Sequence, residues 1–214
     1  MVDEIVDNHG PVGELRAAIA SGRLQPNQRL VEADLVRDLG VGRAAVRTAL
    51  ARLEQEGLVE HERHRGARVR LVAEHEAVEI LEARTALEAL TARHAAAQAT
   101  ARDVRDLRSI LDTMRRRLDD GDLLTASDEN ARLHQRLLAI ARHGVATRLI
   151  SALNHQLVRF QYRTIMAPGR SERSFAEHRA IVDAVAAGDP DGAETAMRRH
   201  LLAVTQALRE QVSR

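Results

Sequence analysis

Hydrophobic residues in the first part of the chain recur at helical spacing in three short stretches. Positions three or four apart are apolar over residues 11–21, 32–39 and 43–55, and each stretch predicts a helix. Gly40 ends the second stretch, and only a tight turn separates it from the third. Two helices joined by so short a turn predict a helix-turn-helix. The polar residues 24–30 predict a turn-rich connector before it.

The pattern changes after the third predicted helix. Residues 58–72 alternate between polar and apolar side chains or carry β-branches, and Gly66 sits where this run would reverse direction. Glycine reaches backbone conformations that other residues avoid, so a β-hairpin with its turn at Arg65 and Gly66 is predicted. A small hairpin after a helix-turn-helix is a wing. Residues 1–73 are therefore predicted to form a winged helix-turn-helix domain.

The rest of the chain is patterned as helix after helix, separated by short breaks. The predicted helices cover residues 75–98, 101–118, 123–142, 145–166, 172–187 and 190–212. Short connections favour consecutive helices as antiparallel neighbours. We expect residues 74–214 to form an all-α antiparallel six-helix bundle, which makes the protein mainly α.

Composition narrows the chemistry. Hydrophobic residues make up 44% of the chain and aromatic residues only 1%, so the core must consist of aliphatic side chains. The chain has no Cys and no Lys, which excludes thiolate metal sites, cysteine nucleophiles and catalytic lysines. No apolar run approaches the roughly 20 residues of a membrane span, and the start lacks a signal-peptide pattern. We expect a cytoplasmic protein with no membrane partner.

Positive charge is local, because the net charge is only +1. Arg43 and Arg47 are one turn apart on the third helix, beside its apolar stripe, and Arg63, His64 and Arg65 crowd the predicted wing tip. Arginine in a major groove can donate to guanine, and cationic side chains favour a narrow minor groove. Such a pair of arginines can also be a solvated helix surface. Its combination with the hairpin favours double-stranded DNA as the partner.

Three of the ten histidines lie on apolar stripes of three different predicted helices: His134, His178 and His200. Each could be a hydrogen-bonded core residue. Together they could also converge on a divalent metal, with Asn130 one turn before His134 as an oxygen ligand. Arg84 lies on the inner stripe of its helix. It could bind a small carboxylate or pair with Glu88 four residues later.

Residues 30–59 resemble the winged helix-turn-helix of the GntR family over a long and specific pattern. The resemblance implies that Arg43 and Arg47 read the operator and that Arg65 and Gly66 enter the minor groove. We add Thr48 and His64 to the expected DNA contacts. The family usually has Ser before the first arginine and Thr-Pro after it, whereas this chain has Gly42 and Ala44-Ala45. Loss of these hydroxyls predicts a weaker helix cap.

Residues 74–210 resemble the helical FCD effector domain of the FadR subfamily. The resemblance is carried by Arg84, Glu88, Asn130, His134, Arg170, Ser174, Glu177, His178, Gly188, Asp189, Met197, His200 and Leu201. It implies a metal held by Asn130, His134, His178 and His200, with zinc expected and nickel or manganese as alternatives. The family has Asp where this chain has Asn130, a poorer ligand. The resemblance also implies that Arg84 contacts the effector.

Together these features predict a homodimeric transcription regulator, not an enzyme. We expect a repressor that binds a palindromic operator and responds to a small organic acid sensed in the bundle through the metal. Two alternatives stay open at this point. The bundle could be metal-free and serve only dimerisation, or the histidines could form a hydrolytic metal centre fused to a DNA-binding domain.

Overall fold

The computed structural model describes residues 10–62, 66–157, 160 and 167–212. This described part divides into two compact units. One consists of the residues up to Ala73 with Asn154–Arg159, and the other of Glu74–Leu153 with the residues from Phe160 onward. None of the helices described combines the length and apolar content needed to span a membrane.

The first unit contains three helices and a small sheet. Its elements are α1 (Gly10–Ala20), β1 (Arg29–Leu30), α2 (Glu32–Leu39), α3 (Arg43–Gln55), β2 (Val59–Glu62) and β3 (Gly66–Val69). The left-handed backbone of Gly40 (φ 66°) ends α2 and allows the tight turn into α3. The predicted helix-turn-helix and wing are confirmed.

The sheet has three antiparallel strands in the order β1-β3-β2, so it is larger than the predicted hairpin. The added strand β1 lies in the connector that was expected to contain only turns. Arg29 pairs with Arg68 and Leu30 with Ala67, and Leu30 is buried in the core of this unit. Two residues carry no readable alternation, so β1 owes its extended form to pairing with β3.

The core of the first unit is aliphatic, as the composition predicts. Val46, Leu50 and Leu53 of α3 are its most enclosed side chains. Helix α1 packs against α3, and buried Arg16 holds Glu56 at the end of α3 through two hydrogen bonds of 2.9 and 2.7 Å. These contacts leave the opposite side of α3 free of the core.

The second unit is helical throughout its described residues. Its elements are α4 (Glu74–Gln98), α5 (Ala101–Asp119), α6 (Leu123–Ala141), α7 (Gly144–Gln156), α8 (Arg170–Ala186) and α9 (Pro190–Val212). The last three residues of α7, from Asn154 onward, are counted with the first unit. These bounds agree with the six predicted helices, except that α7 ends at Gln156. Residues 158–159 and 161–166 of the predicted fourth helix of the bundle lie outside the described residues.

Packing within this unit departs from simple sequence order. Contacts between α5 and α6 and between α8 and α9 confirm two of the predicted neighbours, whereas α4 makes its largest contact with α9, at the far end of the chain. Buried alanines on α4, among them Ala89 and Ala92, allow a close approach. Helix α4 also contacts α6 and α8, so it faces every helix that carries one of the three histidines.

Candidate functional site

The outer face of α3 presents polar side chains. Arg43, Arg47 and Thr48 are exposed, while Val46 and Leu50 point into the core. The two arginines are one helical turn apart. Gly42 occupies the cap position of α3 and provides no side-chain hydrogen bond, which confirms the expected loss of a cap. The geometry leaves α3 able to enter a major groove.

Arg47 is held by an acidic residue of the preceding helix. Its Nε atom donates to both carboxylate oxygens of Glu32, at 2.9 and 3.2 Å. Both side chains stay accessible, with relative exposures of 69% for Arg47 and 39% for Glu32. Glu32 was not predicted as a functional residue, because in the sequence it is an ordinary acidic residue in the first turn of α2.

Gly66 is the first residue of β3 and pairs with Glu62 of β2, and its φ of 82° lies in the left-handed region. A side chain there would meet nothing within 4 Å, so the backbone angle alone explains the glycine. Its neighbour on β3, Arg68, donates to Glu60 of β2. The predicted contacts His64 and Arg65 lie outside the described residues.

His134 of α6, His178 of α8 and His200 of α9 come together in the second unit. All three are buried, and one ring nitrogen from each lies within 4.8 Å of the others. The Nε2 atoms of His134 and His178 are 3.3 Å apart. We call these residues the histidine cluster. The sequence-based expectation that three separate helices bring these side chains together is met.

Two carboxylates orient rings of the histidine cluster by binding their Nδ1 atoms. The Nδ1 atom of His134 donates to Glu88 at 2.7 Å, and that of His200 donates to Glu177 at 2.7 Å. A carboxylate only accepts, so Nδ1 carries a proton in both rings. Nε2 of His134 faces Nε2 of His178 in the cluster. The third ring, His178, has a buried Nδ1 with no hydrogen-bond partner among the described residues.

Each carboxylate is paired in turn with an arginine. Arg84 donates to Glu88, which confirms the predicted i,i+4 pair, and Arg170 donates to Glu177 at 2.9 Å. Both arginines are buried. No role was predicted for Arg170 or Glu177 from the sequence. Their spacing of seven residues places them on one face of α8, and Glu177 directly precedes His178, but neither signal by itself indicates a partner for His200.

Burial favours the neutral form of two of the three rings, His178 and His200. It lowers the pKa of His178 well below the usual range, with further lowering by His200 and His134. Burial, His134 and Arg170 lower the pKa of His200 in the same way. Burial opposes ionisation of Glu88, but Arg84 and His134 outweigh it and hold the pKa of that carboxyl below its usual range. Neutral imidazoles are the form that binds metals.

The histidine cluster fits a divalent metal. Two nitrogens at about 2.0–2.1 Å from one zinc ion, at a tetrahedral angle, are about 3.4 Å apart, close to the 3.3 Å between His134 and His178. Carboxylates commonly accept the second N–H of metal-binding histidines, as Glu88 and Glu177 do here. Asn130 lies one turn before His134, and its buried Oδ1 has no partner among the described residues. The donor set suits zinc or a related ion.

The fold and these two groups of residues define a winged-helix DNA-binding protein with a second, helical unit. Residues 12–69 match the gntR family of bacterial regulatory proteins, and residues 79–203 match the FCD domain. The chain belongs to the GntR family and carries an FCD domain. It is a DNA-binding transcriptional regulator, and its family and relatives are regulators rather than enzymes.

Two curated relatives illustrate this kinship. The chain is 31% identical over 193 residues to a probable D-xylose utilization operon transcriptional repressor of Paenarthrobacter nicotinovorans, covering 88% of this chain and 83% of the relative. It is 30% identical over 225 residues to a putative L-lactate dehydrogenase operon regulatory protein of Escherichia coli K12, covering 93% and 83%.

A solved structure shares the fold over the whole chain. The structure of E. coli McbR/YncC aligns with a TM-score of 0.79 at 20% identity, and the alignment covers 99% of this chain and 100% of that one. At this identity the likeness concerns the fold alone.

Proposed function

We propose that this protein is a homodimeric repressor whose DNA affinity is controlled by a small organic acid bound at a metal in the second unit. Residues 1–73 are the DNA-binding domain, and residues 74–214 bind the effector and dimerise. The observation that carries the sensor half of the proposal is the histidine cluster, which is buried and oriented by two carboxylates. The regulator acts on DNA in the cytoplasm.

The DNA-binding half rests on α3 and the wing. Arg43 and Arg47 contact base edges in the major groove, and Thr48 is exposed beside them to reach the backbone. His64, Arg65 and Gly66 of the wing reach the minor groove. Two such domains in a dimer recognise a palindrome whose half-sites are about one DNA turn apart. The relative named as a D-xylose operon repressor supports repression.

Dimerisation is assigned to the second unit. Several large apolar side chains are exposed there, including Leu124 at 60%, Val145 at 56% and Leu202 at 54%. Exposed apolar side chains of this size pack against a partner when they form one contiguous patch. Light scattering of the purified protein is expected to give twice the mass of one chain.

In the sensor half, His134, His178, His200 and Asn130 would hold zinc, or nickel or manganese. The three imidazole nitrogens are the natural ligands of such ions, and Asn130 contributes an amide oxygen. A bound divalent ion supplies positive charge that attracts a carboxylate. The orienting carboxylates of Glu88 and Glu177 keep the Nε2 lone pairs of His134 and His200 directed into the cluster.

Charge explains why the effector should be an anion. Glu88 is neutralised by Arg84 and Glu177 by Arg170. Burial disfavours the charged form of His178 and His200, and the amide of Asn130 carries no charge. The protein therefore offers no net negative charge to balance a divalent cation in this buried place. An organic acid supplies that charge. Arg84, which lies beside the cluster, is the proposed second contact to the acid.

A thermal-shift screen tests the sensor half. Protein purified without chelators or a nickel column is first assayed for bound metals and then heated with small carboxylates, with and without added zinc. We expect zinc to raise the melting temperature and some carboxylates to raise it further only with zinc present. Absence of metal and of any zinc effect would instead support the alternative of a metal-free bundle that only dimerises.

The DNA half is tested by selecting binding sites from random duplexes with the whole protein. A palindromic consensus is expected, and an active carboxylate from the thermal screen should weaken binding to it. Selection of an asymmetric site, or of no site, would contradict the proposal.

A further inference from the structure

We propose that the Arg84–Glu88 pair sets the tautomer of His134, so that these two residues position a metal ligand. The inference rests on the proposed metal function of the histidine cluster. It states that the two orienting carboxylates, Glu88 and Glu177, differ in how strictly they fix the tautomer of their histidines. Replacement of Glu88 by Gln should weaken metal binding strongly, whereas replacement of Glu177 by Gln should weaken it much less. The difference follows from which oxygen atoms accept which hydrogen bonds.

The two oxygens of Glu88 have separate partners. Arg84 directs two donors at Oε1, with Nε at 2.8 Å and Nη2 at 2.6 Å. The other oxygen, Oε2, accepts from Nδ1 of His134 at 2.7 Å. Glu88 and Arg84 are both buried, with exposures of 1% and 6%, so water does not readily replace either partner. An acceptor is therefore required at both ends of the carboxylate.

Glutamine at position 88 cannot meet both requirements. Its amide has one oxygen and one NH₂ group, and an NH₂ group facing the two Arg84 donors would leave three donors against each other. The amide oxygen must remain with Arg84, which places NH₂ next to Nδ1 of His134. That nitrogen then has to accept, and the ring proton moves to Nε2. The nitrogen that faces the cluster loses its lone pair.

Glu177 is arranged differently. Arg170 and His200 donate to the same oxygen, Oε2, at 2.9 and 2.7 Å. A glutamine amide oxygen in that place accepts from both donors, so His200 keeps its proton on Nδ1. The Glu177→Gln change also leaves a buried arginine without its counter-charge, as Glu88→Gln does. It therefore separates the effect of tautomer from the effect of lost negative charge.

The test compares zinc affinity of whole-protein variants by competition with a chromophoric chelator. Glu88→Gln is expected to weaken zinc binding roughly 10–100-fold, and Glu177→Gln is expected to lose clearly less. Replacing Arg84 by Met in the Glu88→Gln background frees the amide to turn its oxygen toward His134, so the double variant should recover affinity. Glu82→Gln is the control, because Glu82 lies on α4 like Glu88 but forms an exposed ion pair with Arg209 of α9.

A second readout needs no metal. Histidine ¹⁵N shifts of the metal-free protein distinguish the two tautomers, and only Glu88→Gln should move the proton of His134 to Nε2. The inference is overturned if Glu88→Gln keeps that proton on Nδ1, if it binds zinc like the unmodified protein, or if Glu177→Gln loses as much affinity. Failure of the unmodified protein to bind zinc would reject the proposed function, while the ¹⁵N result would still decide the tautomer.

Discussion

The Nε atom of Arg47 lies 2.9 Å from Oε2 of Glu32, which ties the centre of the outer face of α3 to the first turn of α2. Both side chains are accessible, so the pair adds little to stability. The pair instead restricts the orientation of the Arg47 side chain, because a paired guanidinium samples fewer orientations than a free one. A carboxylate at this position also repels the phosphates of any DNA that approaches.

Glu32→Gln is therefore expected to change selectivity. Affinity for unrelated DNA should rise because one repulsive charge is lost, and the ratio between operator and unrelated affinity should fall because Arg47 is no longer held. Fluorescence anisotropy with both duplexes at two salt concentrations measures this. Asp38→Asn removes an acid at the other end of α2 and serves as the control. An unchanged ratio would show that Glu32 does not aim Arg47.

Arg47→Ala is expected to cost about 1–3 kcal/mol of operator affinity. The side chain is 69% exposed and lies off the core, so the melting temperature should stay the same. Titration of the operator by gel shift gives the affinity. Arg37→Ala removes an equally exposed arginine of α2 and should have the smaller effect on binding. Equal effects of the two changes would reject Arg47 as a base contact.

Gly66→Ala is expected to destabilise the wing by about 1 kcal/mol, because alanine is strained at a φ of 82°. Space is not the cause, since nothing lies within 4 Å of the added carbon. Gly66→Asn should cost less, because Asn adopts this region more readily. Thermal unfolding and operator binding of the two variants provide the comparison. Equal losses for both would point to a role for Gly66 other than its backbone angle.

Thr100→Ala is expected to destabilise the second unit by about 1 kcal/mol, because it removes half of a capping box. The hydroxyl accepts from the Asp103 amide at 3.2 Å, and Asp103 accepts from the Thr100 amide at 2.9 Å. Urea unfolding measures the loss, and Thr100→Ser should restore most of the stability.

The same cap predicts a pH dependence. Hydrogen bonds from the Thr100 side chain and backbone, aided by Arg136, lower the pKa of Asp103. The ionised carboxylate therefore stabilises the folded state fully above its ordinary pKa, and this contribution is lost as the pH falls through the lowered value. In Thr100→Ala the pKa of Asp103 should move back upward, which an NMR titration of the carboxyl detects.

Chelation provides a further prediction. Adding EDTA to the zinc-loaded protein should lower its melting temperature, because zinc bound only to the folded state stabilises that state. The stabilisation is about 2.7 kcal/mol when the free zinc concentration is a hundred times the dissociation constant. His200→Ala removes a ligand from α9, so neither zinc nor EDTA should shift its melting temperature. A zinc response that survives in this variant would place the metal elsewhere in the protein.

Local patterns predicted the helices well. Features that depend on contacts between residues far apart in the sequence could not be predicted in this way. The bounds of α2 and α3 followed from spacing and from Gly40, because both signals act within a few residues. Strand β1 could not be predicted, since Arg29 and Leu30 are extended only through pairing with β3. Periodicity alone could not reveal that α4 packs on α9, which is the last helix in the chain.

The same limit applies to the histidine cluster. His134, His178 and His200 stood out because each interrupts an apolar stripe, and Arg84 with Glu88 was visible as an i,i+4 pair. Contacts between helices were not visible. Glu177 reaches His200 across 23 positions of sequence, and Glu88 reaches His134 across 46. These partners follow from the packing of α4, α6, α8 and α9 rather than from any spacing in the chain.

The fully buried alanines of α4 set the distance between this helix and its neighbours, and so the distance between Glu88 and His134. Ala89 directly follows Glu88 in α4, and Ala92 lies one turn after it. Both methyl groups are fully buried, and their small size allows the α4 backbone to lie close to the neighbouring helices. A leucine at either position would act as a wedge and carry the carboxylate away from its imidazole. A purely hydrocarbon substitution would thus weaken the proposed metal and effector binding while leaving every polar side chain of the cluster in the sequence.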